Sequence, residues 1–240
     1  PTDIALSSTT VDENKNNNTV VGTLSGTDPD GNISSYQLVG GDQAKFNISG
    51  TNLRTSEKFN REAKASYSVT IRVKDAGNLT HDKTFTITIN DVNESPEVSN
   101  VSSTTNEDSA KAVSLLGSDI DGDSLSYSVV NNPSNGSVSI SGSTATYTPN
   151  HNYNGTDSFT YRANDGSLNS GSATVTMTVN AVNDAPTVSN VNTETNEDSA
   201  KAVSLLGSDI DSESLSYSVV NNPSNGSVSI SGSTATYTPN

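Results

Sequence analysis

A stretch of 45 residues occurs twice. Residues 106–150, NEDSAKAVSLLGSDIDGDSLSYSVVNNPSNGSVSISGSTATYTPN, return as 196–240 and differ only at Gly122 against Ser212 and Asp123 against Glu213. The offset is 90 residues, the size of a small domain. The likeness continues upstream more weakly, EVSNVSSTTNED against TVSNVNTETNED. Self-similarity at a fixed period is the signature of a repeat architecture. A third, diverged copy opens the chain: DENKNNNTVVGTLSGTDPDGNISSYQLV (12–39) follows the outline of the other two. INDVNESP (89–96) and VNAVNDAP (179–186) close the first two copies. The expected units are 1–96, 97–186 and a truncated third, 187–240.

The local pattern is that of strands. YSVTIRV (67–73) and TFTITI (84–89) alternate apolar with polar residues and are rich in β-branched side chains. In the second unit, strands are expected near 98–102 and at 113–116, 124–130, 136–140, 144–148, 157–163 and 172–179. Asn-Gly at 135–136 and 154–155 and Ser-Gly at 141–142 mark turns. Seven short strands in about 90 residues describe a β-sandwich. Only 30% of the 240 residues are hydrophobic, which suits several thin cores better than one large one.

Charge and composition narrow the partners. There are 27 acidic against 12 basic residues and a net charge of −15. With no basic patch, nucleic acid is not an expected partner. No run of 18 apolar residues occurs, so no membrane insertion is expected. Without cysteine, thiol catalysis, thiolate metal sites and disulfides are excluded. The chain begins at Pro1 with no visible leader and reads as a segment of something longer.

Asp119, Asp121 and Asp123 stand at alternate positions of DIDGD, and Asp209 and Asp211 repeat the first two. An acidic turn is ordinarily just solvated. Here, however, such turns recur at the same place in every unit, next to asparagines, and close carboxylates repel unless a cation intervenes. Carboxylate and amide oxygens suit a hard cation, calcium above all. Zinc is disfavoured, since the two histidines, His81 and His151, lie in different units. The EF-hand loop fails: counted from Asp119, position 6 is Ser124 and position 12 is Val130. A site would have to be assembled from distant segments.

VDEN (11–14), TDPDG (27–31), FNREAKASYSVTIRVKDAGN (59–78) and DVNESP (91–96) occur in the order and spacing of a cadherin repeat. The first unit resembles one along most of its length. The other two, with DIDGDSLSYSV, YTPNHNYNGTDSFTYRANDG and VNDAP, resemble the cadherin-like tandem repeats of large bacterial surface adhesins. The resemblance implies all-β, Greek-key β-sandwich domains of cadherin-like and Ig-like type, arranged as an elongated rod with calcium between neighbours. It implies a first junction built from Glu13, Glu62, Asn93, Glu94, Asp119, Asp121 and Asp165. The second would use Glu107, Asp157, Asn183, Asp184, Asp209 and Asp211. Asp28, Asp30 and Asp75 would face a preceding unit. Asn60 stands where the cadherin motif has Asp, and Glu94 and Ser95 replace its Asp and Asn, so fewer or weaker ions are expected at the first junction.

The expected function is a calcium-rigidified spacer or adhesion module of an exported bacterial surface protein, with neighbouring repeats and another cell surface as partners. The alternative is a carbohydrate-binding module that takes polysaccharide on Tyr36, Tyr67, Tyr153 or Tyr161, although alternating tyrosines are more often core. Catalysis is not expected, since no G-x-S-x-G occurs and every paired acid has a repeat counterpart. The third unit lacks the counterparts of 151–186, so an ordered form of it is expected to need complementation, as in a strand-swapped homodimer.

Overall fold

The computed structural model describes residues 1–211 and 214–240; Ser212 and Glu213, where the second and third units differ in sequence, lie outside the described residues. The described regular structure is all β apart from one 3₁₀ turn at Gln43–Lys45.

The first repeat holds eight strands: β1 (Asp3–Leu6), β2 (Thr10–Asp12), β3 (Val20–Thr27), β4 (Ile33–Gly41), β5 (Phe46–Ser49), β6 (Asn52–Thr55), β7 (Ser66–Asp75) and β8 (Thr80–Asn90). They form two four-stranded sheets, β1-β3-β6-β5 and β2-β8-β7-β4. The alternation read in YSVTIRV is the burial pattern of β7, where Tyr67, Val69, Ile71, Val73 and Asp75 all face inward. Phe46, Phe59 and Tyr67 fill one part of this core, with ring centroids 4.5–6.0 Å apart. Edge-on and tilted contacts of this kind add to the area they bury.

The second repeat holds nine strands: β9 (Glu97–Ser99), β10 (Val101–Asn106), β11 (Lys111–Ser114), β12 (Leu116–Ser118), β13 (Ser126–Asn131), β14 (Gly136–Ser141), β15 (Thr144–Pro149), β16 (Gly155–Asn164) and β17 (Ala173–Asn180). Their sheets run β10-β17-β16-β13, β11-β15-β14 and β12-β9. The expected strand near 98–102 is in fact two, broken at Asn100, whose side-chain Oδ1 accepts from Thr174 N–H at 2.8 Å. The expected strand at 113–116 likewise breaks at Leu115 between β11 and β12. Both repeats carry the same feature, an early strand lying parallel to the last: β2 beside β8, and β10 beside β17.

The third repeat holds β18 (Thr187–Ser189), β19 (Lys201–Ser204), β20 (Leu206–Ser208), β21 (Gly226–Ser231) and β22 (Thr234–Pro239), with sheets β19-β22-β21 and β18-β20. Residues 191–196 and 216–221, the counterparts of β10 and β13, form no strand. In the second repeat those two strands hydrogen-bond to β17 and β16, and the third repeat has neither partner. Strand structure needs a neighbour to receive its N–H and C=O groups.

By their contacts the residues divide into two compact units. One comprises 1–97 with the segments 117–126 and 163–171; the other comprises 98–116, 127–162 and 172–240. Each of the two acidic centres falls within one of these units.

Candidate metal centre

The first centre is built around Glu13, the residue after β2. Although charged, it is only 1% exposed. Its Oε2 accepts from Arg61 N–H at 2.8 Å and its Oε1 from Val92 N–H at 3.0 Å. These bonds tie the segment after β8 to the loop before β7. Asn14 follows with φ of 59°, a left-handed conformation that asparagine tolerates, and its amide donates to Glu94 Oε1.

The acidic turn of 119–123 completes the centre. Asp119 Oδ1 accepts from Asp121 N–H at 2.9 Å and more weakly from Asp123 N–H at 3.4 Å, an Asx turn. Asp121 Oδ2 in turn accepts from Glu94 N–H at 2.9 Å. Asn93 Nδ2 donates to Asp165 Oδ2 at 2.9 Å, and Asp165 Oδ1 accepts from the N–H groups of Ser167 and Leu168, both at 2.6 Å. Backbone and amide donors therefore fix each acid without neutralising it.

One carboxylate oxygen from each of Glu13, Glu62, Asp91 and Asp121 lies within 4.8 Å of the others, and Asp119, Asp121 and Asp123 form a second such set. The basic group beside them is Arg61, whose Nη1 lies 2.6 Å from Asp91 Oδ2 and 3.8 Å from Glu62 Oε1. Three oxygens are cut off from water and have no hydrogen-bond partner: Glu94 Oε2, Asp119 Oδ2 and Asp121 Oδ1. Burial, then the charges of Glu13 and Asp121, push the Glu94 carboxyl up to about 7. Unpartnered buried oxygens on crowded acids are costly unless a cation meets them. Two of these residues, Glu94 and Asp119, line a cleft of about 550 Å³ together with Ser95, Glu97, Ser118 and Ile120. The donor set fits a hard divalent ion that takes many oxygen ligands.

The second centre repeats four of these bonds. Glu107, 3% exposed, accepts from Val182 N–H at 2.5 Å. Asn183 Nδ2 donates to Asp184 O at 2.8 Å, as Asn93 Nδ2 does to Glu94 O at 3.0 Å. Asp184 N–H donates to Asp211 Oδ2 at 2.6 Å, and Asp211 N–H to Asp209 Oδ1 at 2.9 Å. Burial, then Asp211, Asp108 and Glu107, raises the Asp184 carboxyl. The substitutions are local. Asp108 (φ 55°) replaces Asn14, Ala181 replaces Asp91, and His151 and Asn152 replace Arg61 and Glu62. His151 Nδ1 lies 2.9 Å from Asp108 Oδ1, and that carboxylate raises the imidazole pKa.

Asp157 is used otherwise than the resemblance implied. Strand parity puts it on the inward face of β16 with Phe159, Tyr161 and Ala163, at 5% exposure. Its Oδ1 accepts from the N–H groups of Ser134 and Ser158, and its Oδ2 from Asn135 N–H and the Tyr147 hydroxyl, all at 2.8–3.0 Å. Burial alone would raise this carboxyl, but the four donors outweigh it and the net shift is downward. Both oxygens are thus committed to holding a turn.

Asp28 and Asp75 flank the Pro1 ammonium at 2.9 and 3.8 Å. Asp28 also accepts from Asp30 N–H at 2.8 Å. Of the tyrosines weighed as sugar platforms, Tyr67 and Tyr161 are buried. Tyr36 and Tyr153 are packed against the two cores. Asp91 and Asn14 were missed by sequence reasoning; Asp91 could have been found as the first residue of the D-x-N run that follows β8.

The sheets and these loop-borne acids define tandem cadherin-like, Ig-type β-sandwich domains. The chain belongs to the bacterial Ig domain family, whose model matches residues 93–178 and 183–240. Residues 7–90 match the cadherin domain model. Solved cadherin structures share the fold. EC21–23 of human CDH23 aligns over 95% of this chain and 86% of its own, with a TM-score of 0.64 at 18% identity. EC1–2 of human protocadherin-24 aligns over 76% of this chain and 100% of its own, at 0.59 and 15%. The protocadherin gamma B4 extracellular domain aligns over 99% of this chain but 46% of its own, at 0.55 and 21%. No curated protein matches the sequence. Cadherin-like domains are in general adhesion modules without catalytic activity.

Proposed function

We propose that this chain is a calcium-binding spacer or adhesion module of an exported bacterial surface protein, with domains at 1–96, 97–186 and 187–240. The observation that carries the reading is the set of buried, unpartnered oxygens on Glu94, Asp119 and Asp121 beside Glu13, Glu62 and Asp91. These side chains would hold the ion, with Asn93 and Asp165 bracing the segment they share. Calcium supplies the positive charge that lets them all ionise together.

What the chain itself contributes is a fixed course for residues 91–94. Without a cation, that segment is held by the Glu13, Asp121 and Asp165 hydrogen bonds against mutual repulsion of the acids. With one, repulsion becomes attraction, and the segment loses its freedom. Adhesion modules that work under load gain from such ordering, since bound ligand stabilises the ordered state by mass action. Extracellular calcium modules bind at about 10⁻⁴ to 10⁻³ M, a range suited to a cell-surface site and not to cytoplasm. No helix among the described residues is long and apolar enough to cross a membrane.

Isothermal calorimetry of chelator-treated protein tests this reading. Calcium uptake in the sub-millimolar to millimolar range, with a rise in thermal midpoint, is the expected outcome. No heat up to about 20 mM calcium, well beyond that range, would reduce the clusters to solvated turns.

A further inference from the structure

The first centre carries a base that the second lacks. Arg61 lies in the loop before β7, where its backbone N–H donates to Glu13 Oε2 at 2.8 Å. Asn60 closes the turn around it: its Oδ1 accepts from Ala63 N–H at 2.6 Å, and its carbonyl accepts from Lys64 N–H at 3.2 Å. The Arg61 backbone is thus fixed against one acid of the centre, and its side chain folds back over two others. Nη1 lies 2.6 Å from Asp91 Oδ2 and 3.8 Å from Glu62 Oε1. Among the described residues, no other base comes within ion-pair distance of Glu13, Glu62, Asp91 or Asp121.

One positive charge therefore serves four crowded carboxylates. The guanidinium meets the two exposed members, Glu62 and Asp91, and leaves Glu94 Oε2, Asp119 Oδ2 and Asp121 Oδ1 without a partner. A metal ion held by Asp91 would sit within a few ångströms of the guanidinium, and like charges at that distance repel even through water. The Arg61 side chain is 41% exposed, so it can swing into solvent without disturbing the core. The second centre has lost both halves of the pair together. His151 stands for Arg61 and Ala181 for Asp91, and His151 Nδ1 meets Asp108 Oδ1 instead. Glu107, Asp184 and Asp211 nevertheless keep the backbone bonds made by Glu13, Glu94 and Asp121. An arginine needed to hold the loop would not have to leave with one aspartate; an arginine that neutralises that aspartate has no role without it.

We infer that Arg61 is a tethered counter-ion of the first centre, which neutralises Asp91 and Glu62 while no metal is bound and releases them when a divalent cation enters. The inference rests on the calcium reading of this centre and adds its regulation. A competitor attached to the site acts at a fixed effective concentration, so Arg61 lowers the apparent calcium affinity by the same factor at every protein concentration. It also stabilises the empty centre, where the acids would otherwise repel one another. The two effects have opposite signs in experiment: removing the guanidinium strengthens calcium binding and weakens the calcium-free fold. A residue that only packs would weaken the fold and bring no gain in affinity.

The test titrates calcium by calorimetry into the full chain carrying D211N, which weakens the second centre, and into the same chain with R61Q, R61K, D91N or R61Q/D91N added. Each chain is also melted in chelator. R61Q keeps the backbone N–H that holds Glu13. Expected is calcium binding about fivefold tighter or more in R61Q than in its parent, as removal of a nearby like charge gives, together with a lower melting midpoint in chelator. R61K, which keeps the charge, brings both values back toward the parent, and the gain from R61Q shrinks in the D91N background. Calcium heat in the parent with equal or weaker binding by a cooperatively melting R61Q would overturn the inference and leave the calcium reading standing. A gain that D91N does not reduce would also overturn it, because Asp91 would not be the group released. No heat in either the parent or R61Q would overturn the calcium reading and the inference together.

Discussion

The backbone N–H of Glu94 donates to Asp121 Oδ2, and ninety residues later the backbone N–H of Asp184 donates to Asp211 Oδ2. The acidic turn is thereby bound to the segment leaving the preceding strand by the same bond in two places. This bond holds Asp121 by one oxygen and leaves Oδ1 without a partner. Replacing Asp121 with Asn keeps the acceptor and removes the charge. D121N is expected to weaken calcium binding at the first centre by about tenfold or more, since affinity follows ligand charge. Calorimetry on D121N and D211N separately assigns the heats to the two centres.

The raised Glu94 carboxyl gives the calcium-free protein a signed pH dependence. Its folded pKa of about 7 exceeds the ordinary value of 4.5, so the folded state binds more protons than the unfolded state between them. Glu94 therefore favours folding at low pH, and that contribution is lost as pH rises through about 4.5 to 7. Urea titrations in chelator at pH 5 and pH 7.5 should show a lower midpoint at pH 7.5. E94Q or added calcium should remove most of the difference.

Asp157 separates an acid that holds the fold from the acids proposed to hold an ion. D157A leaves the Ser134, Ser158 and Asn135 amides and the Tyr147 hydroxyl without their acceptor, at a cost of about 2–3 kcal/mol. Calcium affinity should be unchanged. With its folded pKa lowered, Asp157 stabilises the wild type above the ordinary carboxylate range, and this is lost as pH falls through the folded value. Denaturation of wild type and D157A should accordingly converge toward acid pH.

The Tyr161 hydroxyl sits in a buried position between Ser99 and Leu116. Y161F keeps the ring in the core and strands the Leu116 amide and Ser99 carbonyl. A loss of about 1–2 kcal/mol is expected, measured by chemical denaturation.

The duplicated sequence makes a prediction about its own two copies. Amides of Ser126–Asn131 and Val101–Asn106 are paired in sheets, whereas those of 216–221 and 191–196 are not. Hydrogen exchange of the chain alone should be slower at the first pair of segments by several orders of magnitude, as core strands compare with open segments.

Much was legible beforehand because it is local or periodic. Alternation in YSVTIRV set the inward face of β7, and the 90-residue offset set the recurrence of the two centres. Motif order pointed to the acids that the fold gathers, Glu13, Glu62, Glu94 and Asp121 among them. Asp157 departs from what the resemblance implies because its parity on β16 places it among Phe159 and Tyr161.

The sequence by itself determined strand periodicity, turn positions and the acidic turns, since each depends on residues near in the chain. Whether SYSVVN becomes a strand was decided elsewhere. Residues 126–131 and 216–221 are identical, yet only the first pair with a β16. Likewise Val113 is buried and Val203 half-exposed in the same local sequence. A strand's hydrogen bonds and a core residue's contacts belong to partners distant in the chain, so only the tertiary structure could assign them.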